Sequence, residues 1–312
     1  MLFQYFVWAA IAAIGLATTA NVPSEKTYEP NPPVTHNVFF TLEYTDKETQ
    51  KPKEFDVTIE LYGTVVPKTV DNFAKIAKGV TAVMKGKDEV NDRFTLGYKD
   101  TVFHRIIPDF MIQGGDVLPT VGPFNIHGKQ FFEDENFDLK HDRPGRLSMA
   151  NLGKEDTNAS QFFIVTCLDP LESLDGKNVV FGQVVAGLDE LIDKVQHVET
   201  NKDDRPLHDV KLKYTIVEEL KITAPEELHK QWLVKIQKYQ NGDLSQGVTM
   251  ASTKAVGKKE ESIMKELKYE QLHHPAVKVA IGFSVLLALY LILRTRSRIF
   301  NKTSKIVSMR HD

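Results

Sequence analysis

A mainly β fold follows from three features of the 312-residue chain. Two stretches alternate with a period of two: Val38, Phe40, Leu42 and Tyr44 against Phe39, Thr41 and Glu43, then Phe55, Val57, Ile59 and Leu61 against Asp56, Thr58 and Glu60. That period marks strands with one buried face, and the polar loop at 45–54 makes them a hairpin. Short apolar runs punctuated by Gly, Pro, Asn and Asp then continue to about Leu220, as an all-β barrel requires. Two helices interrupt them. Pro67 suits a first helical turn, Val70, Phe73, Ala74 and Ala77 follow at helical spacing, and Gly79 stands where a cap would. The second helix is predicted over 188–195, after Gly187.

Composition narrows the function. Lys and Arg number 39 against 42 Asp and Glu, a net charge of -3, so no basic field for nucleic acid is present. Cys167 is the single cysteine, which rules out an internal disulfide and leaves stability to the core.

The two ends depart from the globular pattern. Residues 1–20 carry an apolar run closed by small residues and read as a secretory signal cleaved after Ala20, although no Lys or Arg precedes the run; an uncleaved anchor is the alternative. Residues 275–293 hold one charge, Lys278, and approach the roughly 20 apolar residues that cross a bilayer. The tail 294–312 has six Lys/Arg and one Asp, which favours the cytosolic side. The expectation is a single-pass type I chain in the endomembrane system, reticulum or later vacuolar membrane, with its large segment lumenal.

Between these ends, 21–33 holds four prolines and reads as an extended arm, and 85–99 as a surface loop. Leu228, Trp232, Ile236 and Tyr239 share one stripe of a helix over 225–239, which packs on its own domain or docks a partner. Segment 243–259 is rich in Ser, Thr, Gly and Lys and reads as a flexible stalk, so 224–274 is taken as a helical and flexible tether. Asn158-Ala159-Ser160 is a glycosylation acceptor, and Asn301 begins a second on the cytosolic side.

The densest chemistry lies in TVFHRIIPDFMIQGGD, 101–116. Phe103, Ile106, Phe110 and Met111 are expected to line a pocket, a buried Arg105 and Gln113 to be its polar groups, and Gly114-Gly115 to let backbone pass closely. This stretch resembles the signature of the cyclophilin-type peptidyl-prolyl cis-trans isomerases. FEDENF at 132–137, LSMAN at 147–151, SQFFI at 160–164 and LDGKNVVFG at 174–182 follow in the family's order, and the resemblance covers roughly 34–223. It implies an eight-stranded antiparallel barrel closed by two helices, with a site on its outer face and no cofactor or metal.

The resemblance assigns Arg105, Phe110 and Gln113 to catalysis and Met111, Asn151, Gln161, Phe163 and Leu174 to substrate binding. Proline-containing polypeptides would be the substrates. Alternation supports Phe163: if Phe162 faces inward, Phe163 faces out, while Met149, Phe162, Val165 and Phe181 are expected in the core. Departures from the family are Ser173 where tryptophan is common, Asn178 where histidine is usual, and Leu152 where a small residue is typical. They place cyclosporin affinity in doubt and leave open a binding chaperone with weak turnover. The Asp134-Glu135 pair belongs to the family word and implies no acid-base chemistry, and His104, His127 and His141 lack metal-ligand spacing.

Overall fold

The computed structural model describes residues 25–83, 93–273 and 290. The predicted signal 1–20, the tail 294–312, Asn301 and all of 275–293 but Tyr290 lie outside them. Among the described residues no helix is long and apolar enough to cross a membrane. Contacts divide the chain into two units, Met1–Lys258 and Lys259–Asp312.

The described elements run in chain order as β1 Thr27–Tyr28, β2 His36–Thr45, β3 Pro52–Leu61, α1 Pro67–Lys78, β4 Val80–Val83, β5 Arg93–Leu96, β6 Val102–Phe103, β7 Arg105–Ile107 and β8 Met111–Gly114. There follow β9 Arg146–Met149, β10 Phe162–Val165, β11 Val180–Ala186, α2 Leu188–Asp193, β12 Val210–Glu219, α3 Pro225–Gln240, β13 Val248–Thr249 and α4 Met250–His273. The predicted hairpin is β2 with β3, paired over its full length from His36 opposite Leu61 to Thr45 opposite Pro52.

The main sheet has nine strands rather than eight, in the order β6-β12-β2-β3-β11-β9-β10-β8-β7. Its two end strands are separated in sequence by His104 alone, because one run of chain changes partner there. Phe103 pairs with Val210 of β12, and Arg105 pairs with Gln113 of β8. The run therefore bridges the two edges and nearly closes the barrel, which satisfies backbone groups that open edges would expose.

Inside, Phe40, Phe73, Tyr98 and Phe162 pack as one aromatic group, with Phe73 and Tyr98 ring centroids 5.0 Å apart. Phe103 and Ile106 belong to this interior and not to an outer pocket, because β6 and β7 turn those positions inward. The glycine pair also serves the interior. A Cβ on Gly114 would lie 2.8 Å from the Phe103 ring, and one on Gly115, at φ +81°, 2.6 Å from Phe162. Helix α1 lacks a side-chain N-cap at Val66, and Glu135 takes that part from across the fold, accepting the Lys68 and Thr69 N–H groups at 2.9 Å.

The described part of the arm, 25–33, is docked rather than loose. Thr27 pairs with Thr249 and Tyr28 with Val248, joining β1 to β13. Trp232, 3% exposed, donates its indole N–H to the Pro30 carbonyl at 2.9 Å, and the Tyr239 hydroxyl donates to the Thr27 carbonyl at 2.7 Å. The α3 stripe thus packs on its own domain. Segment 243–259, expected to be flexible, holds β13 and the start of α4. Gly257 sits so close to β11 that an added methyl would collide with the Val185 carbonyl oxygen. Composition suggested a tether because backbone pairing and a glycine contact leave no apolar signature.

Under the arm lie the buried arginines, Arg143 and Arg146, both at most 2% exposed. Asp142 bridges them, at 2.9 Å from Arg143 Nη2 and 2.8 Å from Arg146 Nε. Arg143 also donates to the Glu29 carbonyl at 2.6 Å and stacks on Tyr28, its guanidinium carbon 4.9 Å from the ring centroid.

Candidate functional site

The site is a row of side chains across three strands. Arg105 in β7 stands opposite Gln113 in β8, which stands opposite Phe163 in β10. Directly opposed residues share a face, so all three project outward, and the next row, Ile107, Met111 and Val165, does the same. Phe162 and Ile164 alternate into the barrel. Val165 is accordingly buried outside the interior, in a separate cluster with Met111 and Phe163, a correction that strict alternation requires.

This second cluster makes an apolar floor on the outer face. Met111 and Phe163 are 3% and 5% exposed, and Phe110 and Leu174 pack against them. A shallow pocket there is lined by Arg105, Phe110, Met111, Gln113, Asn151, Phe163 and Leu174, together with Ala150 and Asn178. Gln161 is not among the lining residues; it stands behind Gln113, whose Nε2 donates to Gln161 Oε1 at 3.0 Å. Leu174 reaches the pocket from a 3-10 turn, Glu172–Leu174, on which Ser173 is exposed. Asn151 ties the rims together by donating to the Lys177 carbonyl at 2.7 Å, and Asn178 donates to the Met149 carbonyl at 3.0 Å.

Arg105 is not buried. Its side chain is 45% exposed at the rim, and its Nε donates to Asp204 Oδ2 at 3.3 Å. Sequence reasoning set it among apolar neighbours, but Phe103 and Ile106 face the interior, while Phe110 and Met111 form the pocket floor beside it and leave it at the rim.

Behind Phe163 lies a support with no sequence signal. The His141 ring stacks on Phe163 at 5.9 Å with an interplanar angle of 8°. His141 Nδ1 is 2.9 Å from Asp175 Oδ1 and Nε2 2.9 Å from Ser148 Oγ, and the same Asp175 oxygen accepts the His141 backbone N–H. Asp175 accepts the Nδ1–H, and Nε2 faces the Ser148 hydroxyl, whose oxygen also lies 3.2 Å from the Val179 carbonyl. Burial holds the His141 pKa below its usual value, against the pull of Asp175, so a neutral ring backs the pocket. Only the distance in sequence between 141, 148, 163 and 175 hid this arrangement.

Asn158 is fully buried, with Nδ2 donating to Asp134 Oδ1 at 2.7 Å and to the Phe132 carbonyl at 3.3 Å. A glycan on that nitrogen would replace one of its two hydrogens and break one of these bonds, so Asn158 packed in this way is not a glycosylation site. Asp134 and Glu135 are structural, as their bonds to Asn158 and to the start of α1 show. Among the described residues no group of His, Cys, Asp or Glu has the arrangement to hold a metal ion.

Residues 44–217 match the family described as cyclophilin type peptidyl-prolyl cis-trans isomerase/CLD. Over 233 residues the chain is 49% identical to peptidyl-prolyl cis-trans isomerase CPR4 of Saccharomyces cerevisiae, covering 75% of this chain and 72% of that protein. It is 37% identical to peptidyl-prolyl cis-trans isomerase CYP8 of the same yeast over 317 residues, 100% of this chain and 98% of the relative. Peptidyl-prolyl cis-trans isomerase B, also from that yeast, is 46% identical over 181 residues, 57% of this chain and 78% of the relative.

Proposed function

Because the chain belongs to the cyclophilin-type peptidyl-prolyl cis-trans isomerases, we propose that it turns Xaa-Pro bonds in the outer pocket, with Arg105 as the catalytic donor. The enzyme assists protein folding by this rotation. A peptide bond resists twisting by about 18–20 kcal/mol because the nitrogen lone pair is shared with the carbonyl. Cis and trans Xaa-Pro forms lie within about 1 kcal/mol yet exchange in tens to hundreds of seconds. The catalyst needs to weaken resonance and hold one flank of the bond while the other turns.

The outward row Arg105-Gln113-Phe163 carries this reading. Phe110, Met111, Phe163 and Leu174 offer an apolar floor to the pyrrolidine ring, and Arg105 offers guanidinium donors at its edge. A hydrogen bond from Arg105 to the prolyl nitrogen strengthens as that nitrogen becomes pyramidal, so it binds the transition state better than the ground state. Gln113, buttressed by Gln161, and the backbone at Asn151 hold the flanking chain. Charge-assisted bonds contribute about 1.5–3 kcal/mol, one to two decades of rate. The remainder comes from positioning and from excluding water.

Ser173, exposed on the turn that delivers Leu174 to the pocket, carries no indole, which supports weakened cyclosporin binding. A tryptophan indole there would add a donor and a broad apolar face, together about 1–3 kcal/mol. Exchange NMR on an Xaa-Pro peptide with the full chain should show enhanced interconversion that cyclosporin inhibits weakly, and Ser173→Trp should tighten inhibition by about one to two decades with little change in turnover. Peptide binding without enhanced exchange would make the protein a binding chaperone instead.

The placement we infer is an endomembrane one, with the pocket lumenal and a single C-terminal span. It is supported by the apolar residues 1–20 and 275–293 and by the basic tail. Protease added to sealed microsomes should trim only the tail after about residue 293. Loss of the large domain would reverse the orientation.

A further inference from the structure

We propose that Asp204 is a positioning residue for Arg105, fixing the guanidinium before substrate arrives. The inference rests on the reading of Arg105 as the donor to the prolyl nitrogen. A half-exposed arginine at a pocket rim has many rotamers, and restricting them in advance lowers the barrier by preorganisation. Asp204 takes the Nε–H at 3.3 Å. Of the five guanidinium N–H donors, the four on the terminal nitrogens then remain for substrate.

Two further features make this a built arrangement and not a chance surface pair. The Asp204 carbonyl accepts the N–H of Ile106, the residue after Arg105, at 2.8 Å, so a single residue holds both the strand and the side chain of its neighbour. The loop is itself locked: Asn201 Oδ1 accepts the N–H groups of Asp203 and Arg205 at 2.9 and 3.0 Å, and the Asn201 N–H donates to the Arg205 carbonyl at 2.8 Å. A bridge between Thr200 and Pro206 closes its base. Asp204 sits at φ 60°, a left-handed conformation that Asp and Asn adopt more readily than most side chains. Asparagine at this position therefore keeps the loop and removes only the charge.

The experiment measures kcat and KM for the full chain by exchange NMR on an Xaa-Pro peptide. Asp204→Asn should lower kcat three- to tenfold, leave KM within twofold and leave the melting temperature unchanged, and Asp204→Glu should recover part of the loss. Added salt should slow the wild type and not Asp204→Asn, since the pair is screened. In the Arg105→Ala background the same substitution should cost nothing further, because nothing is left to position. Wild-type turnover in Asp204→Asn beside an impaired Arg105→Ala would overturn the inference alone, as would equal losses in both backgrounds. Full turnover in Arg105→Ala would overturn the reading of Arg105 itself, and this inference with it.

Discussion

Asp142→Ala should destabilise the domain by about 3–5 kcal/mol, the usual result of removing one partner from a buried charge group. Asp142 is the carboxylate between Arg143 and Arg146, and the alanine would leave two buried guanidiniums facing each other. Chemical unfolding of both forms measures the difference, and a loss under about 1 kcal/mol would show that backbone carbonyls suffice for the arginines. The sign of the pH dependence follows from the same contacts. Burial alone would raise the Asp142 pKa, but Arg146 and Arg143 outweigh it and hold the group below its ordinary 3.8. A depressed carboxylate stabilises the fold above its unfolded pKa and loses that contribution as pH falls through the folded one. The contribution of Asp142 should therefore be intact above about pH 3.8 and fall away in more acid solution, and the variant should lack this component.

Arg105→Ala should lower kcat/KM by about 10–100-fold, as loss of one charge-assisted bond in the transition state implies. Stability should hardly move. The Arg105–Asp204 pair has side chains 45% and 42% exposed, and exposed pairs contribute about 0–1 kcal/mol. Arg105→Lys keeps the charge but loses the planar fork, so it should recover little. Thermal melts beside exchange kinetics check both statements; a large fall in melting temperature with unchanged kcat would make Arg105 a structural residue.

Much of this was legible in the sequence. Period-two alternation located β2 and β3, and Pro67 and Gly79 bounded α1, because strand faces and helix ends are set by neighbours along the chain. Alternation also separated Phe162 from Phe163. What stayed hidden depends on residues far apart. Nothing near Arg105 announces Asp204, nothing near Phe163 announces His141, and the capping of α1 by Glu135 spans 66 positions to Thr69. Arg105 itself was misplaced because a residue among apolar letters still takes the face its register assigns. Nothing in the neighbouring sequence marks Arg143 and Arg146 as buried, since the arm that covers them comes more than a hundred positions earlier.

The contacts between the arm and α3 also set an order of events during synthesis. Thr27 and its partner Tyr239 are 212 positions apart, and the strands of the barrel are all present in the chain once Glu219 has been made. At roughly 5–20 residues per second, a ribosome takes about 10–40 s to travel that separation. The arm thus emerges first and is secured last. Between the making of Glu219 and that of α3, Pro30 lacks its indole donor and the arginines lack the finished cover above them, so the nascent barrel passes through a stage that is complete in strands yet unclasped.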